Sequence, residues 1–294
     1  MKKYIIEPEY HGYKVGDYLK EVLGYSSRSM RKIDIFLNGK KVKPNKKVRK
    51  LNRLLVKEHN KGTNIEPIKM DLNIVYEDKN LIILNKEPYL IVHPTKKKVD
   101  KTLAHGIVHY MKEQTGEITV PRFYNRLDMN TSGIIVVAKN GFAQAFLQNK
   151  EKATVKKYYQ TIVKGIVKEE EFVIEESIGR VGDSLKRELL SVEDGGQTAK
   201  TGVKVLKRMD DQNLTLLEVE LFTGRTHQIR VHLSSIGHPI LGDELYGGMV
   251  DSVKRQLLHA YKLIFTNPDT GKEETVTTTL PDDMERIVKG EVIG

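Results

Sequence analysis

The residues with the clearest chemical potential lie in Asn125-Arg126-Leu127-Asp128-Met129-Asn130-Thr131-Ser132-Gly133. An arginine and an aspartate stand two apart, and a small polar turn follows. The apolar run Ile134-Ile135-Val136-Val137-Ala138 closes the stretch. That order reads as a carboxylate carried on a loop that enters a buried strand. Taken alone, an Arg-x-Asp pair is most often an ordinary surface turn. Other candidates are spread along the chain. Arg230 lies off the apolar stripe Ile229, Leu233, Ile236 of a helix opened by Thr223-Gly224-Arg225 and stopped by Gly237-His238-Pro239. His105 and His109 have the i, i+4 spacing of a metal pair. No glutamate follows His105 and the chain has no cysteine, so no metal site is expected. His93, before Pro94, reads equally as a site residue and as a structural one.

Several elements must position these groups. Leu72–Tyr76 and Leu81–Leu84 flank a polar turn and read as a hairpin with a buried second strand. Thr102 can cap a helix through about Gln114, and Asn140 can cap one through Gln148 with Phe142, Ala145 and Phe146 inward. Val155–Gly165, Lys200–Val205 and Leu214–Leu221 read as strands, and residues 169–200 as short strands and turns. Leu258–Phe265 and Glu274–Leu280 form a late hairpin, and a short helix from Pro281 follows. Many strands joined mostly by hairpins, with helices between some, predict an α+β fold with a mixed, largely antiparallel sheet.

Charge divides the chain. Residues 1–61 hold 17 Lys+Arg against 6 Asp+Glu, while the rest holds 32 against 33. The whole net charge of +10 therefore belongs to the first fifth of the sequence. A basic module on a near-neutral body implies a polyanionic partner, nucleic acid first. No apolar run approaches the ~20 residues of a membrane span. The first residues meet charge too soon for a signal peptide. The absence of cysteine removes disulfides, thiolate zinc sites and cysteine nucleophiles, and is compatible with a reducing cytoplasm.

Within the basic module, Val15, Leu19, Val22 and Leu23 have helical spacing, and Gly24 ends that run. Ser26-Ser27 offers an N-cap for a short helix from Arg28 to Ile33. Asn38-Gly39 between Ile35-Phe36-Leu37 and Lys40-Lys41-Val42 is a hairpin signal, and Leu54-Leu55-Val56 adds a strand. From Tyr13 to Lys57 this pattern resembles the αL RNA-binding module of the S-four ribosomal-protein type. The resemblance implies phosphate-backbone contacts by Arg28, Arg31, Lys32, Lys40 and Lys41. Lys46, Lys47, Arg49 and Lys50 read as a solvated face. Residues 1–61 are expected to form this domain, 62–70 a linker, and 71–294 a catalytic domain.

Four segments of the larger part occur in a fixed order: Lys86-Glu87-Pro88…Val92-His93-Pro94; Arg126-Leu127-Asp128-x-x-Thr131-Ser132-Gly133…Ala138-Lys139; Lys157-x-Tyr159…Val163-x-Gly165; and Gly224-Arg225-Thr226-His227-Gln228-Ile229-Arg230-Val231-His232…Gly237-His238-Pro239-Ile240-x-Gly242-Asp243. Together they resemble the RluA/RluD-type pseudouridine synthases over nearly the whole chain. Asn125 stands where that family usually has histidine.

The resemblance implies an isomerase that breaks the N-1 glycosidic bond of a uridine in ribosomal or transfer RNA, turns the base and rejoins it through C-5. Such a reaction needs a carboxylate beside an oxocarbenium-like sugar carbon, and the resemblance gives that role to Asp128. The attack could fall on the sugar or the base ring, or the carboxylate could act as a base. The family pattern places Arg230 opposite Asp128, to keep it ionised in a site closed to water. It makes Tyr159 the face that stacks on the target base, and it sends Arg126 into the space a flipped base leaves. Arg225, His227 and His232 read equally as site residues and as helix-docking residues. The resemblance requires no cofactor or metal, and a cytoplasmic monomer is the default expectation.

Overall fold

The computed structural model of the chain describes residues 2–25, 27–31, 33–58, 62–94, 101–182 and 184–291. Its N-terminal part is a four-stranded sheet of β1 (Lys2–Ile5), β2 (Ile33–Leu37), β3 (Lys40–Lys41) and β4 (Arg53–Glu58), in the order β1-β4-β2-β3. The β2–β3 turn at Asn38-Gly39 has positive φ at both residues, the geometry that makes Asn-Gly a hairpin signal. Against the sheet lie α1 (Val15–Asp17), a π-helical turn over Tyr18–Val22, and α2 (Ser27–Met30). Val15, Tyr18, Leu19, Tyr25, Ile35, Leu54 and Val56 form a core separate from that of the rest. Three features differ from what the sequence predicts. The second helix ends at Met30, and Ile33, expected to close it, opens β2 instead. β1 is an additional strand, and it supplies the edge that pairs β4. The first helical run also changes register into a π turn. Ser26 and Lys32, and the side chain of Arg28, lie outside the described residues.

The larger part is built on one ten-stranded sheet. Its strands are β5 (Ile74–Glu77), β6 (Leu81–Lys86), β7 (Arg122–Phe123), β8 (Ser132–Ala138), β9 (Val155–Lys164), β10 (Glu171–Ile174), β13 (Thr201–Met209), β14 (Leu214–Leu221), β15 (Leu258–Thr266) and β16 (Glu273–Thr277). A separate two-stranded ribbon holds β11 (Ile178–Gly179) and β12 (Glu188–Leu189). The main order is β10-β13-β14-β9-β15-β8-β6-β5, with β16 on β15 and β7 on β8. Among the described strands, only β15 against β8 runs parallel. This is the mixed, largely antiparallel sheet of the expected α+β fold. The helices are α3 (Leu103–Thr115), α4 (Gly141–Gln148), α5 (Gln228–Ser235) and α6 (Asp282–Val288).

Every residue of β8 is buried, which fits an apolar run covered on both faces. On one face, Leu81, Ile83, Ile134 and Val136 join Tyr159, Ile229 and Leu233 in the main core. On the other, Ile82, Leu84, Ile135 and Val137 pack on α3 through Leu103, Ile107 and Met111. At Gly133 the parallel partner comes so close that a Cβ would stand 2.2 Å from the Ala260 carbonyl oxygen. With φ of +110° as well, that position accepts only glycine.

The structure refines several local expectations. In α4 the fully buried residues are Ala143 and Leu147; Phe146 is partly buried against the main core, and Phe142 packs against the core of the basic module. Phe142 meets the Tyr25 ring of the basic module at 6.1 Å. Met70, in the expected linker, packs where a Gly106 Cβ would sit, and Ile68 N donates to the His105 carbonyl, so this segment lies along α3. The helix expected from Thr223 begins only at Gln228. The Gln228 Oε1 accepts from Arg225 N and the Thr223 hydroxyl, which satisfies the loop by side-chain bonds. Ile236, placed on its apolar face by spacing, is 40% exposed.

Candidate active site

The loop between β7 and β8 carries Asp128, and the chain fixes it from several sides. The buried Lys86 at the end of β6 donates to the carbonyls of Glu87, Leu90 and Met129 at 2.7, 3.0 and 3.0 Å. Arg255 Nη1 donates to the Asn130 carbonyl at 3.2 Å, and its Nε and Nη2 grip Asp283. Thr131 N donates to the Asp128 carbonyl, closing the turn. Ser132 Oγ lies 2.9 Å from Nδ1 of the buried His259. Asn125 extends the β7–β8 pairing with its side chain. Its Oδ1 accepts from Val136 N at 2.9 Å, and its Nδ2 donates to the Ile134 carbonyl at 3.1 Å. The departure at Asn125 therefore falls on a residue that braces the loop by bonding the strand backbone.

Arg230, on α5, reaches this loop. Its Nη1 donates to Asp128 Oδ2 at 3.0 Å. Nε and Nη2 donate to Asp243 Oδ2 and Oδ1 at 2.7 and 2.9 Å, the paired geometry that fixes a guanidinium plane. Asp243 is fully buried. The Tyr246 ring lies 4.9 Å from the Arg230 guanidinium carbon and gives that cation an aromatic face. Burial works against the Arg230 charge, but Asp243 and Asp128 outweigh it and its pKa rises. His227 Nε2 stands 3.8 Å from Asp128 Oδ2, while its Nδ1 is 2.9 Å from the Tyr246 hydroxyl. Burial, opposed by Asp128 and aided by Arg230, lowers the His227 pKa, so the ring is neutral near pH 7. Asp128 Oδ1 takes no partner among the described residues.

Tyr159 comes from β9 and lies opposite Ala260 of β15, next to a bulge between Ala260 and Lys262. It is 5% exposed. Burial, reinforced by the Asp128 charge, raises its pKa, so the phenol stays protonated and offers a ring face and a proton. Asp128, Tyr159 and Arg230 all line one cleft of about 1670 Å³. Arg126 is exposed on the same cleft and pairs with no carboxylate among the described residues. Arg122, Lys150, Lys157 and Arg225 add further cations, and Asp128 is the sole acidic lining residue among those described. The basic module closes one side with Lys20, Gly24, Tyr25 and Ile33. Lys152 donates to the carbonyls of Glu21 and Val22 across that junction.

Residues 80–235 match the family described as RNA pseudouridylate synthase. The uncharacterized RNA pseudouridine synthase YjbO of Bacillus subtilis is 36% identical over 280 residues, covering 92% of this chain and 96% of that one. The chain belongs to the RNA pseudouridine synthase family. Its class of reaction is therefore isomerisation. Another relative is the ribosomal large subunit pseudouridine synthase D of Neisseria meningitidis, 37% identical over 80% of this chain and 65% of its own length. Among solved structures, human RNA pseudouridylate synthase domain containing 1 superposes with a TM-score of 0.57 at 25% identity, over 79% of this chain and 97% of that one.

Other sequence candidates bond to groups outside this constellation, although Arg225 and His93 line the same cleft. His232 is buried between Thr201 Oγ1 and the Glu176 carbonyl, a docking arrangement. Arg225 Nε donates to the Thr198 carbonyl. His105 forms a capping box with Thr102, and His109 stands 3.6 Å from Glu113. His93 lies at the cleft edge, against the Phe123 ring. On the module, Arg31 and Lys40 are exposed, and Lys41 pairs with Asp34 at 2.6 Å. None of these three lines the cleft; Lys20 does, and nothing in the sequence marks it out. The parts played by Lys86, Asp243, Tyr246 and Arg255 also escape a reading of the sequence. The available signals are a lysine ending an apolar strand and an aspartate beside Gly242. Gly242 itself is at φ +78° with no room for a Cβ.

Proposed function

We propose that this enzyme converts uridine to pseudouridine in structured RNA, with large-subunit ribosomal RNA the favoured substrate and transfer RNA the second. The observation that carries the reading is the Asp128–Arg230–Asp243 array, whose Asp128 and Arg230 line a cleft where the other charged lining residues are cations. The likeness to a large-subunit synthase supports the choice of RNA.

In this reading Asp128 is the catalytic carboxylate. Arg230 holds Oδ2 in place and keeps it charged, which leaves Oδ1 for the uridine. Tyr159 stacks on the flipped base. Arg126 enters the space the base vacates, which offsets a flipping cost of a few kcal/mol. Phosphate contacts by Arg28, Arg31, Lys32, Lys40 and Lys41 hold the RNA outside the cleft. The first 61 residues serve as the RNA-binding domain and residues 71–294 as the catalytic one. The enzyme works as a monomer in the cytoplasm; among the described residues no helix is long and apolar enough to cross a membrane.

Tritium release from [5-³H]uridine-labelled ribosomal and transfer RNA tests the chemistry. Asp128→Ala should abolish release and leave RNA affinity within about twofold. Pseudouridine formation by that variant would sink the assignment. Mapping pseudouridines in cells with and without the gene identifies the position modified.

A further inference from the structure

Side chains of β9 alternate between two faces of the sheet. Val155, Lys157, Tyr159, Thr161 and Val163 share one face, which Ile229 and Leu233 of α5 help to cover. Lys157 is the charged member of that face. It is half-buried and lines the cleft. Its Nζ lies 3.5 Å from where a Gly224 Cβ would stand, beneath the Thr223-Gly224-Arg225 loop. No carboxylate or carbonyl pairs with it among the described residues. The charge that bears on it is another cation, Lys150, on the same cleft. Burial and that neighbour both pull its pKa down.

An ammonium drawn from water without a partner costs free energy. Here the neighbouring charge has the same sign, so nothing among the described residues compensates. Residues i and i+2 of a strand lie about 6.7 Å apart, so a single nucleotide can place its base at Tyr159 and a phosphate at Lys157.

We infer that Lys157, flanked by Lys150 and the Gly224 loop, is a phosphate-binding subsite for the nucleotide whose base lies against Tyr159. The inference rests on the reading of the cleft as a uridine site. Lys157 acts as a binding residue, and the anion it takes is a phosphodiester of the RNA. Its pairing with phosphate forms only when the nucleotide enters, so the energy of that contact goes into seating the flipped uridine.

Calorimetry with uridine, 3′-UMP and 5′-UMP tests the subsite, whichever RNA is the natural substrate. Wild type should bind one of the monophosphates at least tenfold more tightly than uridine. Lys157→Met should lose that preference and keep its affinity for uridine, while Lys157→Arg should retain part of the preference. Asp128→Ala should keep it, which separates this subsite from the catalytic assignment tested by tritium release. Absence of the preference in wild type, or its persistence in Lys157→Met, overturns the inference. If Lys157→Met fails to melt like wild type, the wild-type lysine can be followed by ¹³Cε NMR. Its titration should move to higher pH with the preferred UMP and not with uridine. An unmoved signal would refute the subsite.

Discussion

At the scale of residues, the candidate site is a chain of charges of alternating sign, Asp128–Arg230–Asp243, with Asp128 and Arg230 on the cleft and Asp243 buried behind them. Asp243 is the buried anchor, and its replacement should be severe. In Asp243→Asn the amide offers one acceptor where Arg230 needs two, and it leaves a buried guanidinium short of counter-charge. Breaking one side of such a pair costs about 3–5 kcal/mol. The expected result is a loss of that order in urea denaturation, together with a large fall in kcat and little change in RNA affinity. A second prediction concerns Lys86. Burial and Arg255 draw its pKa down to about 7, yet three carbonyls surround its Nζ. Three acceptors match the three donors of an ammonium, whereas a neutral amine has only two. Lys86→Met should leave those carbonyls unsatisfied and loosen the Met129 turn, which lowers kcat more than it raises KM. An unchanged kcat would refute its positioning role. Sequence exposes the acid, the arginine and the tyrosine because each sits in a dense motif. The roles of Lys86 and Asp243 stay hidden there because each is defined by partners distant in the chain.

At the scale of elements, the β8–β15 contact holds the Asp128 loop against the rest of the sheet. The buried His259 of β15 bridges Ser132 and Thr278, at 2.9 and 3.0 Å. Burial, helped by Arg255, lowers its pKa to about 4. Between pH 4 and 6.5 the unfolded chain therefore binds a proton that the folded chain refuses. Stability should rise with pH across that window and be lost as pH falls through it, by roughly 3 kcal/mol from this residue. His259→Gln keeps a group able to bond both hydroxyls and removes the titration, so its stability curve should be flatter from pH 4 to 6.5. Equal slopes in the two proteins would exclude His259 as the source. Most strands and the caps at Thr102 and Asn140 are legible from period and cap chemistry. The late start of α5 is not, because Gln228 ties the preceding loop to Lys200 and Thr201 of a distant strand.

At the scale of the whole molecule, a basic module with its own core meets the body at Tyr25–Phe142 and at Lys152, and the cleft runs between them. The division of charge is plain in the sequence; the junction is not, since aromatic residues on α4 read as that helix's own core. Removal of residues 1–61 should weaken RNA binding and flatten its dependence on log salt, by about one unit of slope for each phosphate no longer neutralised. An unaltered slope would place the RNA elsewhere on the protein. The sheet order also has a consequence for biosynthesis. β15, late in the sequence, is the strand that joins β9 to β8 in the middle of the sheet. Before it exists, one half of the sheet holds the Asp128 loop and the other holds Tyr159, with Arg230 following it. N-terminal segments fold first as a chain is made, but these two halves have no shared strand until residues 258–266 are available. The candidate site is thus assembled only once residues 258–266 are made, and a chain cut before them carries its parts without bringing them together.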